Sequence, residues 1–157
     1  MQDKTNAMRM LDAKKIAYNI YRYGDGKTAM QGTEVAALVG IDPRKVFKTL
    51  VTAGASRAHY VFMIPVGDEL DLKKAAFAVR EKSVAMIPQK ELLPITGYVH
   101  GGCSPIGMKK PFRTVIDASA EGLDSVVFSG GRIGIQIELS YSDLVKATGA
   151  QAADVVR

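Results

Sequence analysis

The feature that most restricts the fold is a pair of apolar, β-branched segments, residues 46–52 and 58–65, joined by Gly54-Ala55-Ser56-Arg57. A glycine-led turn of this length between two such runs predicts a β-hairpin. With a period of two, Val46, Lys48 and Leu50 share one face of the first strand, and Phe47, Thr49 and Val51 share the other. Both faces are then largely apolar, the pattern of a strand covered on both sides. Lys48 falls in its middle. A lysine there must carry its ammonium out to water, pair with an acid, or face a ligand cavity. A solvated lysine on an edge strand is the plainest of the three.

The remaining elements are shorter. Thr5 or Asn6 can cap a helix to about Lys15, and alternation over residues 16–23 predicts a strand. A second helix starts at Gly32-Thr33 with Thr33 as N-cap and Gly40 past its end, and Asp42-Pro43 opens a single helical turn. Asp71 can cap a helix whose apolar side is Leu72, Ala75, Ala76 and Val79. Residues 83–87, 114–117, 125–129 and 133–139 read as strands, with Ser129-Gly130-Gly131-Arg132 as the turn between the last two. Residues 88–93 read as a helical turn closed by Pro94, and Ser140 or Ser142 caps a last helix to Thr148. The count is about seven strands and four helices in irregular order, without a βαβ repeat or a linker. The expected class is therefore α+β: one domain over residues 1–157, with a mixed, mostly antiparallel sheet curled into a partial barrel and flanked by helices.

No apolar run is long enough to span a membrane, the N-terminus has no apolar signal core, and the single cysteine allows no internal disulfide. A cytoplasmic protein is expected. A net charge of +5 suits a polyanionic partner, but the basic residues are scattered rather than clustered. The chemistry-bearing stretch is Gly101-Gly102-Cys103-Ser104-Pro105-Ile106-Gly107, where missing Cβ atoms let a ligand approach backbone N–H groups. A simple connecting turn has the same composition. His59 and His100 lie far apart, with no metal-ligand spacing, and the loop matches no nucleotide-binding fingerprint. Neither metal nor cofactor is expected. Cys103 or Ser104 could be a nucleophile, but a dyad with His100 three residues away in a tight loop would be unusual, and only a pairing in space would make one. Lys48, two glycine turns and a basic surface together describe a site for something anionic.

Several segments in register resemble the YbaK/EbsC family, itself similar to the inserted editing domain of bacterial prolyl-tRNA synthetase. They are Val46-Phe47-Lys48-Thr49-Leu50, Leu70-Asp71-Leu72-Lys73-Lys74, Thr96-Gly97-Tyr98 with the 101–107 loop, and Ser129-Gly130-Gly131 with Ile137-Glu138-Leu139. The resemblance runs from Asn6 to about Val155. It implies a free-standing aminoacyl-tRNA deacylase that acts in trans. The YbaK branch, which this chain looks nearest to, hydrolyses Cys-tRNA(Pro), the product of prolyl-tRNA synthetase mischarging. The implied partners are the tRNA(Pro) acceptor end and prolyl-tRNA synthetase, which supplies tRNA choice to free-standing members.

The resemblance also implies roles. Lys48 matches the essential lysine beside the terminal adenosine and the ester. Tyr23, Gly101, Gly102, Ser104, Ser129, Gly130 and Gln136 form the expected substrate-binding set, largely through backbone groups. In this branch the substrate's own thiol attacks its ester carbonyl and releases a cyclic thiolactone. The enzyme then needs only near-attack geometry and oxyanion stabilisation, without a nucleophile of its own. Water attack, as in sister editing domains, is the alternative. Two positions depart from the family pattern: Gln31 stands where an aromatic residue precedes Gly-x-Glu, and Gln136 where Asp is frequent. They leave the class intact and bear on which amino acid is removed, Cys, Ala, Ser or Pro. A relative acting on Ala-tRNA(Pro), or a non-catalytic module for tRNA or the synthetase, is the rival reading.

Overall fold

The computed structural model describes residues 4–157. Helix α1 (Asn6–Ala13) is capped by Thr5, whose hydroxyl accepts from the Met8 N–H, and it buries Ala7, Met8 and Leu11. It ends in a Schellman motif: Lys15 N–H donates to Asp12 O, and Ile16 N–H to Leu11 O. Lys15 takes the left-handed position at φ 59° that glycine usually fills. This reversal consumes the start of the alternating run, so strand β1 is only Asn19–Arg22 rather than residues 16–23. Helix α2 (Gly32–Val39) begins earlier than expected. Its N-cap is Gln31, not Thr33, because the chain arrives extended at Gln31 and the Gln31 carbonyl takes the first helical bond, from Val35 N–H.

The predicted hairpin is the centre of the larger sheet. Strands β2 (Phe47–Gly54) and β3 (His59–Pro65) pair antiparallel from Phe47–Pro65 to Ala53–His59. Strand β4 (Val84–Met86) pairs antiparallel with β2, β5 (Arg113–Asp117) parallel with β3, and β8 (Gln151–Ala153) parallel with β5. The order is β4-β2-β3-β5-β8. Strands β6 (Ser125–Arg132) and β7 (Ile135–Ser140) form a separate antiparallel sheet with β1, in the order β1-β7-β6. One parallel bridge, Val46–Val127, ties the two sheets. The strands are mixed and mostly antiparallel as expected, but they form two open sheets rather than one barrel-like curl.

Helix α3 (Leu72–Val79), capped by Asp71, covers one face of β3 with Ala75, Ala76 and Val79. Helices α1 and α5 (Tyr141–Thr148, capped by Ser140) cover the smaller sheet through Leu11, Leu144 and Ala147. The short helix α4 (Leu92–Thr96) leads into the glycine loop. Eight strands and five α-helices thus stand among the described residues, one of each beyond the expectation. The turn between β6 and β7 also lies further on. Strand β6 runs to Arg132 with an irregular register after Ser129, and the chain reverses at Ile133-Gly134. Among the described residues no helix is long and apolar enough to cross a membrane.

Candidate active site

Strand β4 reaches only Thr52 to Gly54 of β2, and the Val46–Val127 bridge to β6 lies just before Phe47, so between these two points no described strand pairs with the second edge of β2. A cavity of about 660 Å³ opens along that free edge, a size suited to a small ligand. Its walls come from β2, the start of α2, the segment after β3, the glycine loop and the β6–β7 pair. Five expected residues meet there: Tyr23, Lys48, Gly101, Ser129 and Gln136. Tyr23 is fixed at the end of β1 by its N–H donating to Gly134 O at 3.0 Å. Ser129 and Gln136 are direct cross-strand partners. Lys48 is half-buried, and among the described residues no hydrogen bond or ion pair holds its ammonium.

Gly102, Ser104 and Gly130 are not among the residues that line the cavity. They stand behind its wall. A Cβ on Gly102 would lie 2.9 Å from the Ile133 nitrogen, so this glycine lets the loop backbone lie directly on the β6–β7 turn. Ser104 is fully buried, and its hydroxyl accepts from Ile106 N–H within the loop. The Gly130 carbonyl accepts from the Thr5 hydroxyl at 2.5 Å, anchoring α1 to β6. Gly101 is different: it faces the cavity at φ +85°, and a Cβ there would lie 2.7 Å from Ala29 Cβ. Sequence composition marks all these positions alike, whereas packing separates wall from support.

Cys103 also reaches the cavity, yet it is 9% exposed. Burial pushes its thiol from 9.0 up to about 12, only partly offset by a hydrogen bond with Thr96. The thiol is therefore protonated at neutral pH and a poor nucleophile. Because the folded pKa is raised, this group's stability contribution is intact below about pH 9 and is lost as pH rises toward 12. Cys103→Ala is expected to keep activity at this site and to be less stable than the parent at pH 7 through lost packing. At about pH 10.5 the parent's unfolded thiolate offsets that difference by about 2 kcal/mol, so the two urea midpoints converge or cross. Loss of activity in the variant would restore the thiol as a nucleophile.

Two residues on the cavity walls carry a polar atom without a partner, the expected Gln136 and Thr49, which escaped the reading of the sequence. The Thr49 hydroxyl and the Gln136 side-chain carbonyl are buried and have no hydrogen-bond partner. Glu138, two residues along β7, is fully engaged instead: it accepts from Tyr21 and Ser125 at 2.6 Å each. Burial pushes its carboxyl up, but the bonds from Ser125, Tyr21 and Asn19 and the Lys45 charge outweigh it, and the group sits below its usual range. Among the described residues no three His, Cys, Asp or Glu side chains come together to hold a metal ion.

The family model for the aminoacyl-tRNA editing domain matches residues 27–147, which include all of these walls except Tyr23. The chain belongs to the aminoacyl-tRNA editing domain family. It is 42% identical over 154 residues to Enterococcus faecalis EbsC, named a Cys-tRNA(Pro)/Cys-tRNA(Cys) deacylase, covering 98% of this chain and 94% of EbsC. It is 33% identical over 98 residues to the proline–tRNA ligase of Thermotoga maritima, spanning 62% of this chain but only 16% of the ligase. A crystal structure described as a trans-editing enzyme for prolyl-tRNA synthetase superposes with TM-score 0.84 at 24% identity, covering 99% of both chains, and so shares the fold. Within this editing family, the expected features were a site lysine on the second strand and a glycine loop beside it, and the cavity here has both on its walls.

Proposed function

We propose that this chain removes cysteine from mischarged Cys-tRNA(Pro) in trans, by an ester cleavage in which the substrate's own thiol is the nucleophile. That it is an aminoacyl-tRNA deacylase follows from its family and its likeness to EbsC. The amino acid, the tRNA and the mechanism are the proposal. The observation that carries it is a cavity walled by an unpaired lysine and glycine backbone, beside which the chain's single thiol is buried and protonated. Such a site can orient an ester and stabilise an oxyanion, and among the described residues no hydrogen bond joins a hydroxyl or thiol on its walls to a histidine or carboxylate that would activate it.

In this reading Lys48 faces the carbonyl and ribose end of the substrate, Gly101 and Ser129 approach it through backbone groups, and Tyr23 and Gln136 close the cavity. The single editing domain spans residues 1–157. The tRNA(Pro) acceptor end is the substrate, prolyl-tRNA synthetase is the partner that selects the tRNA, and the work takes place in the cytoplasm. Scattered charge of only +5 agrees with weak tRNA binding by the domain alone.

Deacylation of a panel of misacylated tRNAs tests the assignment. Cys-tRNA(Pro) is expected to lose its amino acid fastest, with Pro-tRNA(Pro) spared. A preference for Ala-tRNA(Pro) would move the chain to the rival specificity that Gln136 left open, and no release from any member would leave only a binding module.

A further inference from the structure

The free edge of β2 says more about what the cavity grips. Val46 O accepts from Val66 N–H on the β3 side, whereas Val51 O accepts from Ile87 N–H on the other side. Backbone groups in an antiparallel strand alternate direction residue by residue. Thr49, two residues from Val51, therefore turns its N–H and C=O away from β3, toward the edge that β4 leaves open. The same residue lines the cavity and has a buried hydroxyl without a partner. Gln136, 7% exposed, lines that cavity from β7 and has an equally unpartnered, buried side-chain oxygen. Buried polar atoms without partners cost roughly 1–3 kcal/mol each, and two on one cavity mark where a ligand supplies the missing bonds.

Their chemistry selects the ligand group. An amide oxygen only accepts, and a threonine hydroxyl and the outward Thr49 carbonyl add further acceptors. A group with several donors satisfies these three oxygens, which describes an ammonium, and the outward Thr49 N–H is left for an oxygen of the same ligand. The aminoacyl end of a charged tRNA carries one, on its α-carbon. Glu138 cannot take that part, because Tyr21, Ser125 and Lys45 already surround its carboxylate.

We propose that Thr49 and Gln136 bind the α-ammonium of the substrate's aminoacyl group, fixing which end of that group faces Lys48. This rests on the deacylase reading above. Thr49 thereby becomes a specificity residue, and Gln136 gains a defined partner.

The test is calorimetric binding of two non-hydrolysable 3′-amide analogues of cysteinyl-adenosine, one with the α-amine and one with hydrogen in its place. The wild-type protein is expected to prefer the amine-bearing analogue about ten- to hundredfold, the range for hydrogen bonds to a charged group. Thr49→Val and Gln136→Met should each shrink that preference several-fold and leave the deamino analogue's affinity nearly unchanged. Gln136→Glu, which keeps the acceptor and adds charge, should enlarge it, and it serves also if the methionine variant does not fold. Equal wild-type affinity for the two analogues, or variants that lose both alike, would overturn the proposal. If the wild type deacylates Cys-tRNA(Pro) and still shows no amine preference, the ammonium assignment alone fails. If it deacylates no misacylated tRNA, both readings fall.

Discussion

Lys48→Ala is expected to slow single-turnover release of cysteine from Cys-tRNA(Pro) by about 10²–10³-fold, the loss typical of removing one oxyanion-stabilising donor. The position explains the size. Lys48 is half-buried on the cavity wall, on the same strand as the core residues Phe47 and Val51, so its ammonium is within reach of a ligand held in the cavity. No acid among the described residues neutralises it, and its charge is free for an oxyanion or the ribose. For the same reason the substitution breaks no internal bond, and the melting temperature should move little. Lys48→Arg should recover only part of the rate, since a planar guanidinium is bulkier and spreads its charge. An alanine variant with full activity would remove Lys48 from the mechanism. A variant that loses activity together with its fold would show a structural role instead.

The hairpin that carries Lys48 was legible because its signal is local: two β-branched runs, a glycine turn and a period of two. The helix caps at Thr5, Asp71 and Ser140 were legible for the same reason, each a short side chain bonding to an N–H two or three residues on. The end of α1 was not, because a lysine in a left-handed cap has no compositional mark and Lys15 is held there by the Ile16 contact with the core. Strand β8 was missed since Gln151-Ala152-Ala153 has no β preference and pairs only because β5 offers it an edge. At the site, composition singled out the glycine loop but could not divide Gly101, on the wall, from Gly102, behind it, since the difference is how close the β6–β7 turn approaches. Thr49 was invisible as a functional residue. A threonine in an alternating strand is an ordinary β-former, and only the three-dimensional structure shows that its hydroxyl is buried without a partner. Resemblance, rather than periodicity, supplied Tyr23 and Ser129.

Replacing the substrate's sulfur is expected to matter as much as replacing Lys48. With Cys103 protonated and buried, attack on the ester falls to the substrate's thiol or to water, and the two respond oppositely to changes in the substrate. In the thiol route the cysteinyl S–H gives up its proton, sulfur bonds to the ester carbon, and an oxyanion forms beside Lys48. Its collapse breaks the bond to the ribose oxygen, which leaves as an alcohol once protonated, and frees a cyclic thiolactone that water later opens. A thiol of pKa about 8.5 provides a few per cent of thiolate at pH 7, whereas a serine hydroxyl provides essentially none. Ser-tRNA(Pro) and S-methylcysteinyl-tRNA(Pro) should therefore react at least about 10²-fold more slowly than Cys-tRNA(Pro), since each loses the intramolecular nucleophile and its effective concentration. The S-methyl substrate is the sharper probe, because it keeps the sulfur while blocking the attack. The rate on Cys-tRNA(Pro) should also rise with pH up to the substrate thiol's pKa and then level off. Comparable single-turnover rates on the cysteinyl and seryl esters would transfer the attack to water, leaving Lys48 and the glycine loop to stabilise the same oxyanion from a different nucleophile.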